Sequence, residues 1–369
     1  MNQLFRWDQM SLFLLALAAG ILPFAVPEVC AAALREGLTL CSGPLLLSLF
    51  PFLVVSRLLV QCPESDLLAL PFRLAAWGIG IRTPCAARVL CIGFLGGFAP
   101  AASAAAQAVR TGQLTAEEAD ALLPACICSG PSFVVLTVGQ SLLGSAELGV
   151  LLFASQITAN YLTAALLNRF AGVRSVKPGS AAPASPAPPR LDEILADAAI
   201  TYCKLCGFIL FFRMLAAGAG ALLPAGAGTL CSILLEVCSG CDLASRTGRW
   251  GSLLCCAALS VQGLSVLLQV RTICPPEMTL RPLYRARMLH LPLSLALFYL
   301  LLPGGEADVF STLPARILLM RRVPPDCALL VFVVCCMAAC TLRSGIRQVE
   351  QKQMARNAGG CCINSKTLL

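Results

Sequence analysis

The chain has 369 residues, 58% of them hydrophobic and only 12% charged, with a mean hydropathy of +0.81. A soluble globular chain carries about 25% charged residues, so soluble enzymes, disulfide-stapled secreted domains and nucleic-acid binders are excluded as whole-chain readings. The formal net charge of +8 is read as membrane topology, because short cytoplasmic loops retain Arg and Lys.

Charge-free runs recur at 9–27, 37–56, 89–109, 121–146, 148–168, 214–235, 250–270, 288–305 and 327–342. Most approach or exceed the roughly 18–20 residues that span a hydrocarbon core as a helix. The pattern predicts an all-α polytopic membrane protein with about eight transmembrane or re-entrant helices. Residues 9–27 lack a preceding basic cluster and a small-residue cleavage site before a soluble region, and read as a retained first span.

Further along, Gly93-Phe94-Leu95-Gly96-Gly97-Phe98-Ala99-Pro100 puts glycines and a proline inside an apolar run. Pro100 lacks an N–H and disrupts the bond to the residue four earlier; a helix broken there must line protein or a wet cavity. Thr115-Ala116-Glu117-Glu118 reads as a capping box opening a short helix, on a hairpin tip where Glu117, Glu118 and Asp120 are expected to be solvated. Ser129, Ser132, Gln140, Gln156 and Asn160 are polar groups within apolar runs. Gln156, Asn160 and Thr163 share one helical face and read as interhelical hydrogen bonders.

The stretch Ser175–Arg190, rich in Pro, Ala and Ser, reads as a flexible linker. It divides the chain into a first membrane half (1–170), the linker (171–190), a second half (191–342) and a basic tail (343–369). In the second half Glu236 ends a charge-free stretch, and lies either at the membrane surface or inside a polar site binding a solute or proton. Gln262, Ser265 and Gln269 are expected on one helix face, beside Gly263. His290 reads as an interfacial residue closing a helix end. Most of the 21 cysteines lie in apolar runs as small packing residues, and neither Cys203-x-x-Cys206 nor Cys238-x-x-Cys241 is assigned a metal or redox role. No cofactor is expected. With no nucleophile–base set, nucleotide-binding loop or paired carboxylate, no enzyme activity is expected either.

The halves resemble each other. Arg110-Thr111-Gly112 recurs as Arg246-Thr247-Gly248, and Ser129-Gly130-Pro131-Ser132 is matched by Gln262-Gly263-Leu264-Ser265. The offsets, 246 − 110 = 136 and 263 − 130 = 133, nearly keep register. Duplicated halves with Gly/Pro-interrupted segments are the pattern of transporter-like folds. The candidate substrate-binding residues are Gly97, Pro100, Ser129, Gly130, Pro131 and Ser132, with Glu236, Ser239, Gly240, Gln262, Gly263, Ser265 and Gln269. A side chain at Gly130 or Gly263 is expected to block a close backbone approach.

Gly97-x-x-Pro100-Ala101-Ala102, Gly112-x-Leu114-Thr115-x-Glu117-Glu118-Ala119 and Ser129-Gly130-Pro131-x-Phe133 resemble the nucleoside-recognition, or Gate, domain. In order with Leu46–Leu59 upstream, and with Leu234-Leu235-Glu236-x-x-x-Gly240, Gly263-Leu264-Ser265-Val266-x-x-Gln269 and Arg287-x-x-His290 downstream, they resemble the YlbJ family of sporulation integral membrane proteins. The chain departs from that pattern in having Cys126-Ile127-Cys128 before Ser-Gly-Pro and Cys238-Ser239-Gly240 after the glutamate. The resemblance implies a multi-pass protein of the bacterial cytoplasmic membrane, acting in endospore formation at the cortex stage. It further implies the lipid bilayer, a small nucleoside-like solute and other sporulation membrane proteins as partners, and no nucleic acid. A non-transporting scaffold and a nucleoside transporter are the alternatives.

The linker from Arg169 to Arg190 carries four basic residues and no acid, and the tail after Arg343 is also basic, so both are expected in the cytoplasm. Single cysteines placed at Ser180 and Ser365 in a cysteine-free background should resist membrane-impermeant thiol reagents in intact cells; labelling of either from outside reverses this orientation.

Overall fold

The structure, a computed structural model, describes residues 2–61, 67–172 and 191–302. The expectations for the linker, for the run 327–342 and for the basic tail lie outside the described residues. Among the described residues every regular element is a helix. In chain order these are α1 (Asn2–Ala25), α2 (Pro27–Ser42), α3 (Pro44–Gln61), α4 (Leu70–Gly78), α5 (Pro84–Gly96), α6 (Phe98–Arg110), α7 (Ala116–Cys126), a π-helix (Ser132–Leu142) and α8 (Ala146–Ala171), followed by α9 (Leu191–Leu222), α10 (Ala225–Leu235), α11 (Val237–Ser245), a 3₁₀ turn (Gly248–Trp250), α12 (Gly251–Val261), α13 (Gly263–Ile273) and α14 (Arg281–Leu301).

Three helical stretches of the described residues are long and apolar enough to cross a membrane: Ala146–Ala171, Leu191–Leu222 and Gly248–Ile273. A fourth forms if Leu15–Ala25 and Pro27–Ser42, bent by 110°, count as one broken span. Phe24, Phe170, Met288 and Leu300 are each more than three-quarters exposed, an outward apolar surface suited to lipid and costly in water. These features fit a helical membrane protein.

Local chemistry sets most helix ends. Proline occupies the first turn of α2, α4, α5 and α14, where its missing N–H has no intrahelical partner to lose. The capping box at α7 is formed: Thr115 Oγ1 accepts from Glu118 N at 3.1 Å, and Glu118 Oε2 accepts from Thr115 N at 3.1 Å. Its acids are not solvated as a group. Only Glu117 is exposed; Glu118 is buried and accepts from Thr83 Oγ1, while Asp120 accepts from Thr279 N, Thr279 Oγ1 and Leu280 N at the start of α14. A carboxylate at a helix N-terminus meets orphan N–H groups and the positive end of the dipole, which stabilises a buried acid that sequence pattern alone places in water.

One core joins the two halves, running from Val60 through α5–α8 to Phe298. At its centre is α6, whose Ala99, Ala101, Ala102, Ala104, Ala105, Ala106 and Ala108 are at most 1% exposed. These small side chains let α3, α5, α7 and α13 approach it closely, the packing that replaces the hydrophobic drive inside a membrane. The halves are also tied by Arg57–Asp197 (2.5 Å, α3 to α9) and Arg213–Glu36 (2.7 Å, α9 to α2).

The first interruption falls at Gly97, not at Pro100. Gly97 has φ +81°, and α6 starts immediately after it, with Pro100 inside the first turn of α6, where proline costs no hydrogen bond. A Cβ on Gly97 would stand 2.7 Å from Gly130 N; one on Gly263 (φ +69°) would stand 2.9 Å from the Leu235 carbonyl carbon. Each interruption therefore crosses a second one at backbone contact. Gly130 is the looser partner, since a Cβ there meets nothing closer than 3.4 Å and its φ is not left-handed. The expected block at Gly130 belongs to Gly97 instead.

Gly97→Ala and Gly263→Ala should each destabilise the purified protein by more than about 2 kcal/mol, adding backbone displacement to left-handed strain of about 1 kcal/mol. Gly112→Ala, with φ +70° and nothing within 4 Å, should cost only the strain, about 1 kcal/mol. Gly130→Ala should stay within about 0.5 kcal/mol. Denaturation midpoints in detergent report all four; equal effects at Gly97 and Gly130 would remove the crossing as the constraint.

Candidate functional site

Two crossings of interrupted helices organise the interior. In the first, α5–Gly97–α6 meets α7, residues 127–131 and the π-helix. In the second, α10–Glu236–α11 meets α12–Gln262–α13. The π-helix follows Ser129-Gly130-Pro131 directly; such winding is rare and found often at functional sites.

Glu236 lies inside the protein, 2% exposed. It is the N-cap of α11, its Oε1 accepting from Cys238 N at 2.8 Å and its Oε2 from Ser239 N at 2.7 Å. Both carboxylate oxygens are engaged by the helix start. Charge-assisted bonds of this kind make an interior carboxylate tolerable.

A partly open cavity of about 70 Å³ lies between the crossings. Ser129, Gly130 and Ser132 line it from the first crossing, Glu236 and Gln269 from the second, within a wall that includes Phe52, Phe98 and Phe133. Five of the thirteen candidate residues thus share one cavity. The others support it. Gly97 lies under Gly130, Pro100 is buried in α6, and Pro131 is half-buried ahead of the π-helix. Ser239 binds Glu236 through its backbone, and a Cβ on Gly240 would lie 2.8 Å from Ile233 Cα. Gly263 holds the second crossing, and Ser265 Oγ accepts from Gln269 Nε2 at 2.9 Å.

Gln262 departs from the expected helix face. It sits between α12 and α13 in the left-handed region, φ +61°, a conformation non-glycine residues rarely adopt. Its Nε2 points across the protein to the carbonyl of Ile127 at 3.4 Å. That same carbonyl accepts from Asn160 Nδ2 at 3.3 Å and Arg287 Nη2 at 2.5 Å. Asn160, Gln262 and Arg287 are all buried.

A second strand of the network joins α8, α12 and α14. Gln156 Nε2 donates to Ser260 Oγ at 2.9 Å and to the Cys256 carbonyl at 3.3 Å; Ser260 Oγ lies 2.5 Å from Ser294 Oγ. The expected interhelical role is observed for Gln156 and Asn160 but not for Thr163, whose buried Oγ1 has no hydrogen-bond partner. His290 does not close a helix end but lies in the middle of α14. It is 1% exposed, with Nε2 3.2 Å from the Gln156 carbonyl. Sequence reading had no strong signal for Ser260 and Ser294, ordinary serines in apolar runs. The available clue was spacing: Arg287, His290 and Ser294 fall at i, i+3 and i+7, one face of α14.

Arg287 and Gln262 serve one acceptor, so either covers part of the loss of the other. Arg287→Met and Gln262→Ala should each lower stability by about 1–3 kcal/mol. The double variant should lose more than the sum by at least about 0.5 kcal/mol, because the Ile127 carbonyl is then left with Asn160 alone. Additive losses in a double-mutant cycle would show that the shared carbonyl does not couple the halves.

No protein family, no characterised protein and no solved structure matches the chain.

Proposed function

We propose that this chain is a transporter-like membrane protein of endospore formation, in the cytoplasmic membrane of the sporulating cell at the cortex stage. In this reading the cavity between the two crossings receives a small solute. The observation that carries the solute site is that both crossings open onto one cavity through Ser129, Ser132, Glu236 and Gln269. Broken helices meeting at a central polar site are how transporters bind solutes within a bilayer. The sporulation role rests on the resemblance of the ordered motifs to the YlbJ family.

A layout of two related halves, with about eight spanning or re-entrant helices, belongs to the same reading. It is supported by element order: α5, Gly97, α6, tip, α7, break, π-helix, α8 is followed by α10, Glu236, α11, tip, α12, Gln262, α13, α14. The two Arg-Thr-Gly tips also end alike, with Gly112 at φ +70° and Gly248 at φ +64°. One observation favours the scaffold alternative: Glu236, the only charged side chain among the described residues that line the central cavity, spends both carboxylate oxygens on α11.

Glu236→Gln separates the two readings. The amide keeps the shape and one acceptor, so stability should fall by only about 1 kcal/mol, as for a weakened N-cap. Removing the charge from a solute site should nevertheless abolish formation of heat-resistant spores at near-normal membrane levels of the protein. Full heat resistance in the variant would favour the scaffold, and intact cortex after deletion of the gene would overturn the sporulation role.

A further inference from the structure

A second cavity, about 160 Å³, lies end to end with the first along three helices. On α6 the first cavity takes Phe98 and the second Arg110; on α9 they take Ile209 and 197–208; on α13 Val266 and Thr272. Gln269 lines both. The second cavity surrounds the first half of α9, directly after the linker, which places it on the side expected to be cytoplasmic.

Its character is opposite to that of the first. Arg57, Arg110 and Lys204 line it against a single acid, Asp197, which is paired with Arg57 at 2.5 Å. Arg110 and Lys204 have no carboxylate within ion-pair distance among the described residues. Arg57 is 8% exposed and its Nε, a donor, has no partner. Cations gathered in a concavity with apolar walls repel one another and raise the local concentration of anions. A guanidinium N–H without a partner is a donor that an anionic group can satisfy.

We propose that this cavity is an anion-binding vestibule that takes a small phosphate- or carboxylate-bearing group. The proposal goes beyond the solute reading of the central cavity and does not depend on it: a scaffold could hold the same vestibule. The anionic group has two sources, a soluble anion or the headgroup of an anionic lipid.

The test uses the full chain in a neutral detergent, with radiolabelled inorganic phosphate in equilibrium dialysis at fixed ionic strength. Saturable binding is expected. The Arg110→Gln/Lys204→Gln double variant should weaken it about tenfold, the effect of removing two unit charges near the anion. Both side chains are exposed, so this variant should unfold at the temperature of the parent; if it does not, Lys204→Gln alone serves, with a smaller loss. Glu236→Gln should leave phosphate binding unchanged, which separates this site from the central one. In nanodiscs, displacement of phosphate by phosphatidylglycerol but not by phosphatidylcholine would assign the site to a lipid headgroup; retention in both would assign it to a soluble anion. Binding that does not saturate, or that is equal in parent and charge-removed variants, overturns the proposal.

Discussion

Breaking a helix inside an apolar interior frees carbonyls and N–H groups that have no water to turn to, and the architecture depends on how they are satisfied. At the first crossing the freed group is the Ile127 carbonyl. It takes donors from three other elements: Asn160 on α8, Gln262 at the second crossing and Arg287 on α14. At the second crossing the freed groups are the first N–H groups of α11, and Glu236 supplies their acceptor. A cation with two amides serves an orphan carbonyl; an anion serves orphan amides. The signs follow the polarity of the backbone groups themselves.

These bonds bridge long separations. Ile127 to Arg287 spans 160 residues and Gln156 to Ser260 spans 104. The two halves are consequently not independent units resting against each other. α14 closes over α7 and α8, and the start of α14 is held by Asp120. A burial this deep for Arg287, 8% exposed with no carboxylate in ion-pair range among the described residues, is offset by two carbonyls, of Ile127 and Ser260. Charged groups in such surroundings are costly unless partnered.

The same crossings explain why the interior is hollow where it is. Gly97 against Gly130, and Gly263 against Leu235, bring backbones so close that no side chain fits at the contact. The bulky neighbours Phe98, Phe133 and Val266 then stand around a space that Ser129, Ser132 and Gln269 also line. The central cavity and the basic one meet at Gln269, so the lining changes from mostly apolar to cationic across one side chain.

Composition and periodicity by themselves determined the all-helical apolar class, the capping box at Thr115–Glu118, the interhelical use of Gln156 and Asn160, and the neighbourhoods of the interruptions. Each depends on residues within one or two turns of each other, or on bulk hydropathy, and so is written locally. Tertiary structure decided which residue bears each break and where each polar group finds its partner. Pro100 has the chemistry of a breaker but falls in a first turn, where it is harmless, while Gly97 carries the left-handed turn. Glu118 and Asp120 read as solvated acids because their partners, Thr83 and Thr279–Leu280, are remote in the chain. His290 reads as a residue closing a helix end for the same reason, its partner Gln156 lying 134 residues away. A polar residue in an apolar run announces that it needs a partner; only the folded chain, by bringing distant backbone groups within about 3 Å, decides which partner that is.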